Sequence, residues 1–278
     1  MPELPEVEAV RLELDPYFTH HRIDDADVRR PDLRDPFPRR FRARLVGQTV
    51  EAFLRRAKYL LATLTSGETL VMHLGMSGSF NVSASGEPLE PLKPLSIDTH
   101  DHVIFHMSSG AAIVFNDPRR FGMMTLLTPT QLAAHPVLST LGPEPLSDAF
   151  DAAALARACR GRRTPLKAAL LDQSIVAGLG NIYAAEALHL AGLSPMRAAG
   201  SLAAANGEPR EPAYRLAKAI KQVLTRAIAR QTAKRYRSAR FQVYDRESQP
   251  CLRPGCGGTI RRRTQGGRST FYCPRCQR

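Results

Sequence analysis

The sequence predicts an α+β protein of more than one domain, and three patterns along its 278 residues indicate this architecture. Apolar residues recur at helical spacing from about residue 5 to residue 18. From about residue 23 to residue 127, short apolar runs alternate with turns, which is typical of a β-sandwich or barrel-like domain. Helical patterns follow Leu141, and the tail from Phe241 carries short strands around four cysteines.

The helical region contains several predicted elements. Residues 151–160 are alanine-rich, and Thr164 is a suitable N-cap for a second helix. The two glycines of the segment Val176-Ala-Gly-Leu-Gly-Asn-Ile-Tyr are expected to break that helix and to begin another. Residues 214–230 form a last predicted helix, and residues 83–96 are expected to be a mobile loop.

The chain is strongly basic, with a formal net charge of +13 and a pI of about 10.1. Residues 226–278 hold fourteen Lys and Arg against two acidic residues, so +12 of that charge lies in the last fifth of the chain. A positive charge gathered in one segment favours a polyanionic partner, most simply a nucleic acid. Charge alone would also fit a basic protein without such a partner.

The N-terminal segment lacks the basic start and apolar stretch of a signal peptide. No apolar run approaches the roughly 20 residues that span a bilayer. We therefore expect a cytosolic protein.

Four cysteines near the end of the chain form two close pairs: Cys251, Cys256, Cys273 and Cys276. Four thiolates at this spacing suit tetrahedral zinc, with Zn–S distances of about 2.3 Å. No coordination position stays open, so the expected zinc is structural. Arg261, Arg262, Arg263 and Arg268 lie between the pairs, on a hairpin that the metal would hold rigid. Cys159 stands alone and is expected to be an inert buried thiol.

Two further segments carry chemistry. The turn before Asn181 is glycine-rich and precedes a helix, so it exposes backbone N–H groups to a phosphate. Removal of Met1 would make Pro2 an N-terminal secondary amine with a pKa near ~7.7–8. Such an amine can attack a sugar C1′ and form an iminium ion, with the adjacent Glu3 moving protons.

These motifs together resemble the formamidopyrimidine-DNA glycosylase family over nearly the full chain. The matching segments are Met1-Pro-Glu-Leu-Pro-Glu-Val-Glu, Arg56-Ala-Lys-Tyr-Leu, His73-Leu-Gly-Met-Ser-Gly, His100-Asp-His, Asn116-Asp-Pro-Arg-Arg-Phe-Gly, Leu141-Gly-Pro-Glu-Pro-Leu, Gly178-Leu-Gly-Asn-Ile-Tyr-Ala and Gly267-Arg-Ser-Thr-Phe-Tyr-Cys.

The resemblance implies an N-terminal β-sandwich with an N-terminal helix, then a helix–two-turn–helix domain and a β-hairpin zinc finger. We place these parts at residues 1–130, 131–240 and 241–278. It also implies a base-excision repair enzyme that removes formamidopyrimidines and 8-oxoguanine from duplex DNA and cleaves abasic sites by β,δ-elimination. The enzyme would hold one structural zinc and act as a monomer in a bacterial cytoplasm, associated with the nucleoid through DNA, without a membrane or an obligate protein partner.

Roles in the family carry over to individual residues. Pro2 would be the Schiff-base nucleophile, Glu3 its acid/base partner, Lys58 the β-elimination residue and Arg268 the δ-elimination residue. DNA contacts would come from His73, Met76, His100, Arg119, Phe121, Arg162, Asn181 and Tyr244. Of these, Met76, Arg119 and Phe121 would fill the gap left by the everted nucleotide.

Three departures from the family pattern stand out. The first cysteine pair has four intervening residues where many relatives have two, and Asp245 stands where relatives often have glycine. Residues 229–240 form a short, basic, glycine-free segment where relatives carry a longer loop over the everted base. This short segment leaves the lesion preference open.

Other functions stay open at this point. The short loop is compatible with an endonuclease VIII-like pyrimidine glycosylase, against which Leu4 and the Arg119 and Phe121 pair argue. It also allows an enzyme dominated by abasic-site lyase activity. A retained Met1 would indicate a non-catalytic damage-binding protein. A zinc-dependent transcription regulator would leave the N-terminal half unexplained.

Overall fold

A computed structural model describes residues 1–83, 98–233 and 241–278. The chain divides into two compact units, Met1–Ser139 and Thr140–Arg278. The predicted loop at residues 83–96 falls almost wholly outside the described residues, as does the part of the basic segment from residue 234 to residue 240. Within the described ranges, no helix is both long and apolar enough to cross a membrane.

The N-terminal unit begins with the predicted helix, α1 (Leu4–Phe18). A capping box starts it, in which the Glu6 carboxylate accepts a hydrogen bond from the Glu3 N–H at 2.9 Å. The helix buries one face through residues that include Val7 and Leu14. Capping and periodic apolar residues thus form the helix where the sequence predicts it.

Eight antiparallel strands follow α1 and form two four-stranded sheets. One sheet has the order β1-β6-β7-β5 and the other β2-β3-β4-β8. The strands are β1 (Ile23–Val28), β2 (Val50–Arg56), β3 (Tyr59–Leu64), β4 (Thr69–His73), β5 (Ser79–Ser83), β6 (Asp101–Met107), β7 (Ala112–Asn116) and β8 (Met123–Leu127), with short helices α2 (Phe41–Leu45) and α3 (Pro129–Ala133).

The two sheets share one apolar core in the N-terminal unit. The ring of Phe18, at the end of α1, stacks on Phe53 of β2 with ring centroids 4.9 Å apart. The edge of the same ring meets Phe105 of β6 at 5.6 Å. One aromatic side chain therefore packs against both sheets, which confirms the predicted sandwich.

The second unit is helical and ends in a β-hairpin. Its helices are α4 (Ala152–Cys159), α5 (Leu166–Leu171), α6 (Asn181–Ala191) and α7 (Glu211–Thr232), and its strands are β9 (Arg261–Gln265) and β10 (Arg268–Tyr272). The Asp151 side chain caps α4 by accepting from the Ala154 N–H at 2.7 Å. The expected N-cap of α5, Thr164, is wrong, because Pro165 is the N-cap residue and its side chain makes no capping hydrogen bond.

Helix α5 also ends earlier than the glycine pattern predicts, at Leu171. The Gln173 side chain donates to the carbonyl oxygens of Leu171 at 3.1 Å and Leu179 at 2.9 Å. It also accepts from the Gly178 N–H at 2.9 Å. This side-chain amide replaces helical hydrogen bonds and builds the turn before α6.

Candidate active site and nucleic-acid interface

Pro2 and Glu3 directly precede α1. Pro2 is half-buried and follows the exposed Met1. Glu3 is the N-cap residue of α1 and is 3% exposed. The capping box therefore fixes the backbone of the residue next to the candidate nucleophile.

Lys58 lies in the two-residue turn between β2 and β3, where Arg56 pairs with Tyr59. Its neighbour Ala57 has a φ of 52°, a left-handed conformation that costs an alanine about 1 kcal/mol. Lys58 is only 8% exposed. Arg55 supports the turn by donating from Nη1 to the Ala57 carbonyl oxygen at 3.0 Å.

His73 is held close to this turn, because it pairs with Tyr59 across β3 and β4. Its Nδ1 accepts a hydrogen bond from the Gly75 N–H at 3.0 Å, so the neutral ring carries its proton on Nε2. Burial, then the cations of Lys58 and Arg34, lower the pKa of His73 to about 4. His73 is therefore a neutral donor at physiological pH.

Three side chains extend from two adjacent loops of the same unit. Met76 is 45% exposed and Phe121 is 44% exposed. The guanidinium carbon of Arg119 lies 4.7 Å from the centre of the Phe121 ring. We call Met76, Arg119 and Phe121 the wedge, since large exposed apolar groups beside a cation suit insertion into a base stack.

His100 lies in the turn before β6 and is half-buried, and its carbonyl oxygen accepts from the Asp117 N–H at 3.0 Å. Arg162, in the second unit, is exposed but already has partners. It donates to the Ala158 carbonyl oxygen at 2.9 Å and pairs with Asp172 at 3.3 Å.

The β9–β10 hairpin, which we call the zinc hairpin, is attached to the helices through Ser269. Lys167 is 1% exposed, and its Nζ donates to the Ser269 carbonyl oxygen and to Thr270 Oγ1, both at 2.8 Å. Asn181 Nδ2 donates to the same Ser269 oxygen at 3.1 Å. The exposed Arg268 is therefore adjacent to a doubly anchored residue.

Sequence reasoning missed Lys167. The visible signal was a lysine in the first turn of an otherwise apolar helix, and this lysine is buried against a strand about a hundred residues further along the chain.

Glu186 on α6 is a second residue that sequence reasoning missed. Its carboxylate accepts from the N–H groups of Gln242 at 2.8 Å, Val243 at 2.9 Å and Tyr244 at 3.0 Å. These three bonds position Tyr244, whose ring also meets Phe271 at 5.3 Å. The only local signal was one acidic residue on an apolar helix.

Asp245 has a φ of 56°, which lies in the left-handed region. Glycine is the ordinary residue at such a position, and Asp is one of the few others that tolerate it. Aspartate at position 245 is therefore compatible with this turn.

The four clustered cysteines meet the geometric requirements of a zinc site. Their sulfur atoms all lie within 4.8 Å of one another. The Cys256–Cys273 and Cys251–Cys276 sulfur pairs are 3.6 and 3.9 Å apart. A tetrahedral ZnS₄ centre has an edge of about 3.8 Å. The residues therefore fit one structural zinc.

Comparisons with known proteins agree with this geometry along the chain. Residues 1–124 match the family model of the formamidopyrimidine-DNA glycosylase N-terminal domain, and residues 141–238 match that of the H2TH domain. Residues 248–278 match the zinc finger found in FPG and IleRS.

Individual proteins match over their whole length. A formamidopyrimidine-DNA glycosylase of Methylocella silvestris is 55% identical, with 100% of both chains covered. The structure of Lactococcus lactis Fpg bound non-covalently to DNA with an AP site has a TM-score of 0.84 and 29% identity, with 100% of both chains covered. The structure of MutM in complex with DNA containing carbocyclic 8-oxo-G has a TM-score of 0.83 and 29% identity, again with 100% of both chains covered.

Proposed function

This chain belongs to the formamidopyrimidine-DNA glycosylase family and is a base-excision repair glycosylase for oxidised purines with abasic-site lyase activity, and we propose that Pro2 is its nucleophile. The observation that carries the proposal is the position of Pro2 directly before Glu3, the buried N-cap of α1. Once Met1 is removed, Pro2 is an N-terminal secondary amine. It directly precedes Glu3 in the sequence, and the capping box fixes the backbone of Glu3.

The first step is base excision. The Pro2 lone pair forms a bond to C1′ of the everted nucleotide as the bond from C1′ to the base breaks. The Pro2 nitrogen gives up its N–H proton and the departing base takes up a proton. O4′ takes up a second proton as the C1′–O4′ bond breaks. Glu3 moves these protons, and the products are the free base and an iminium ion between Pro2 and the opened sugar.

The second step is elimination. A base takes the C2′ proton, the iminium accepts the electrons of the C2′–H bond, and the bond from C3′ to the 3′ phosphate breaks as the phosphate leaves. A further elimination releases the 5′ phosphate and leaves a one-nucleotide gap. We assign the first elimination to the buried Lys58 and the second to the exposed Arg268.

The remaining site residues bind DNA in this proposal. The neutral His73 donates from Nε2 to a phosphate, while Asn181 and Tyr244 contact phosphates from the second unit. The wedge fills the space of the everted nucleotide. His100 and Arg162 are additional DNA contacts, and Arg162 would exchange its partner Asp172 for a phosphate.

We place functional boundaries at residues 1–130, 131–240 and 241–278. The first part carries the nucleophile Pro2, and the second carries Asn181, the phosphate-contacting residue at the start of α6. The third carries the four cysteines Cys251, Cys256, Cys273 and Cys276. The partner is double-stranded DNA with oxidised bases or abasic sites, in the cytoplasm and at the nucleoid.

Strand-cleavage assays on four matched duplexes test this function. They carry 8-oxoguanine opposite cytosine, an abasic site, an oxidised pyrimidine or no damage. We expect cleavage of the first two, with phosphates at both ends of the gap. Cleavage of the abasic duplex alone would leave a lyase without the purine activity. Preference for the pyrimidine would favour the endonuclease VIII-like alternative, and binding without cleavage, with Met1 retained in the intact mass, would contradict catalysis.

A further inference from the structure

We propose that Asp117 is the positioning residue that joins the two wedge loops into one rigid unit, an inference that rests on the proposed function of the wedge. One loop carries Met76, and the other carries Arg119 and Phe121. Asp117 itself precedes the second loop at the end of β7. It would act only through the side chains that it positions.

The Asp117 carboxylate is 0% exposed and accepts hydrogen bonds from both loops. Its Oδ1 accepts from Ser77 Oγ at 2.5 Å and from the Arg119 N–H at 3.3 Å. Its Oδ2 accepts from the Gly122 N–H at 2.7 Å. Each donor is next to a wedge residue or is one itself, so the three bonds fix both loops to one group.

The backbone of Asp117 is anchored in turn to the sheet. Its N–H donates to the His100 carbonyl oxygen at 3.0 Å. Its carbonyl oxygen accepts from Nε2 of the buried His102 at 2.9 Å and from the Arg120 N–H at 3.1 Å. The carboxylate therefore ties the loops to the β-sandwich and not only to each other.

The loops also touch through their backbones. Gly75 has a φ of 62°, and a Cβ at this position would lie 2.3 Å from the carbonyl carbon and oxygen of Phe121. Such contact requires the two loops to keep a fixed spacing. The Asp117 carboxylate maintains this spacing between the loops, because it accepts hydrogen bonds from both Ser77 and Gly122.

The chemistry of these bonds calls for a carboxylate. All three partners are donors, and an ionised carboxylate only accepts. Within residues 1–83, 98–233 and 241–278, no cationic side chain pairs with Asp117, so its buried charge depends on these donors. An asparagine would turn an NH₂ group towards one of them and leave a buried donor unsatisfied.

Rigidity matters because eversion requires unstacking of the duplex. A rigid wedge has to supply only the free energy of unstacking when it enters the duplex. A flexible wedge must also lose the conformational entropy of its own loops. Loss of Asp117 should therefore slow steps that need eversion and spare steps that do not.

The test compares two substrates in Asp117→Asn and Ser77→Ala. One is duplex DNA with 8-oxoguanine, which needs eversion, and the other is a single-stranded abasic oligonucleotide, which does not. We expect excision from the duplex to fall about tenfold or more in Asp117→Asn and less in Ser77→Ala, since hydrogen bonds to a charged group are strong. Cleavage of the single strand should stay within about twofold, because this substrate does not require eversion from a duplex.

Matched controls come from a second hydroxyl–carboxylate pair in the same unit. Thr19 Oγ1 donates to Asp15 Oδ1 at 2.5 Å, the same length as the Ser77 bond. Thr19→Val and Asp15→Asn should leave the ratio of the two activities unchanged. Fluorescence of 2-aminopurine beside the lesion should show slower eversion only in the Asp117 and Ser77 variants.

Three results would overturn the inference. Equal losses on both substrates would indicate a general structural role, and no loss on either would show that the bonds are dispensable. A wild-type enzyme inactive on both substrates would refute the proposed function, and with it this inference. If Asp117→Asn does not fold, Ser77→Ala alone tests the inference, because it removes one hydrogen-bond donor to Asp117 and keeps the Asp117 carboxylate.

Discussion

Arg55 on β2 forms an ion pair with Glu8 on α1, with 2.7 Å between Nε and Oε2. The same guanidinium donates to the Ala57 carbonyl oxygen at 3.0 Å. The side chains of Arg55 and Glu8 are 11% and 16% exposed. One arginine thus links the helix that follows Pro2 and Glu3 to the turn that holds Lys58.

We predict that Arg55→Ala lowers kcat for abasic-site cleavage about tenfold with little change in KM, because each buried charge-assisted bond contributes about 1.5–3 kcal/mol. Arg55→Lys should recover little, since an ammonium cannot reach both acceptors as a planar guanidinium does. Single-turnover kinetics on an abasic duplex measure the effect.

Arg11 provides the control for this prediction. Its Nε also contacts Glu8, at 2.9 Å, but it lies on α1 with its partner. Arg11→Ala should therefore cost little activity. Equal losses in Arg11→Ala and Arg55→Ala would show that Glu8 alone matters, and not the link to the turn.

We expect Lys167 to stabilise the zinc hairpin, although the two lie far apart in the sequence. We predict that Lys167→Met lowers the free energy of unfolding by about 1–3 kcal/mol, because the part-buried Ser269 carbonyl oxygen and the buried Thr270 hydroxyl lose a donor. It should also weaken duplex binding about tenfold, since Arg268 loses a fixed neighbour. Denaturant unfolding and fluorescence anisotropy measure the two effects.

Lys221→Met is the matched control, because Lys221 donates one bond to the Ser147 carbonyl oxygen at 3.0 Å. Lys221→Met should lower the free energy of unfolding only modestly and should leave the affinity for duplex DNA nearly unchanged. Unchanged affinity in Lys167→Met would show that the hairpin is held without it.

Removal of zinc should unfold the tail and abolish tight DNA binding. Structural zinc sites supply on the order of 10 kcal/mol of folding free energy. We predict one zinc per chain, lost in Cys256→Ser and under strong chelation, with a parallel loss of duplex binding. Cys159→Ser should keep its zinc, since Cys159 is a separate buried thiol whose pKa burial raises to about 11. Full activity of a metal-free protein would contradict this prediction.

His73 should make stability depend on pH below neutrality. Its pKa is about 4 in the fold, chiefly through burial, against about 6.5 in the unfolded chain. Between these values the unfolded chain binds more protons, so stability is fully present above pH ~6.5 and is lost as pH falls toward ~4. From pH 7 to 5 the loss should be roughly 2 kcal/mol, and His73→Gln should abolish this component.

Denaturant unfolding at the two pH values checks the His73 prediction without DNA. His106→Gln, at an exposed strand position, is the control and should retain the full pH dependence. A pH dependence of the His73 variant equal to that of the wild type would exclude burial of a neutral ring at this site.

The sequence predicted those parts of the fold that local patterns determine. The α1 helix, the strands and the cysteine cluster each follow from periodicity or spacing within a short segment. The predicted N-cap of α5 was wrong, because the helix begins one residue later than expected and Pro165, not Thr164, is its N-cap residue.

Contacts between distant segments could not be predicted in this way. The bonds of Lys167 to Thr270 and of Glu186 to Val243 join positions 103 and 57 residues apart. No local pattern marks such partners. The effect of the short segment at residues 229–240 on lesion preference stays a prediction, although α7 extends to Thr232 and so includes the first of these residues.

Borohydride trapping on duplex DNA with 8-oxoguanine opposite cytosine, beside an abasic duplex, tests the central role of Pro2 most directly. Reduction should convert the iminium into a covalent protein–DNA adduct on both duplexes, and mass spectrometry of the digested adduct should locate it on Pro2. The adduct should be lost in Pro2→Gly. Absence of an adduct in the wild type, or an adduct on another residue, would contradict the proposed mechanism.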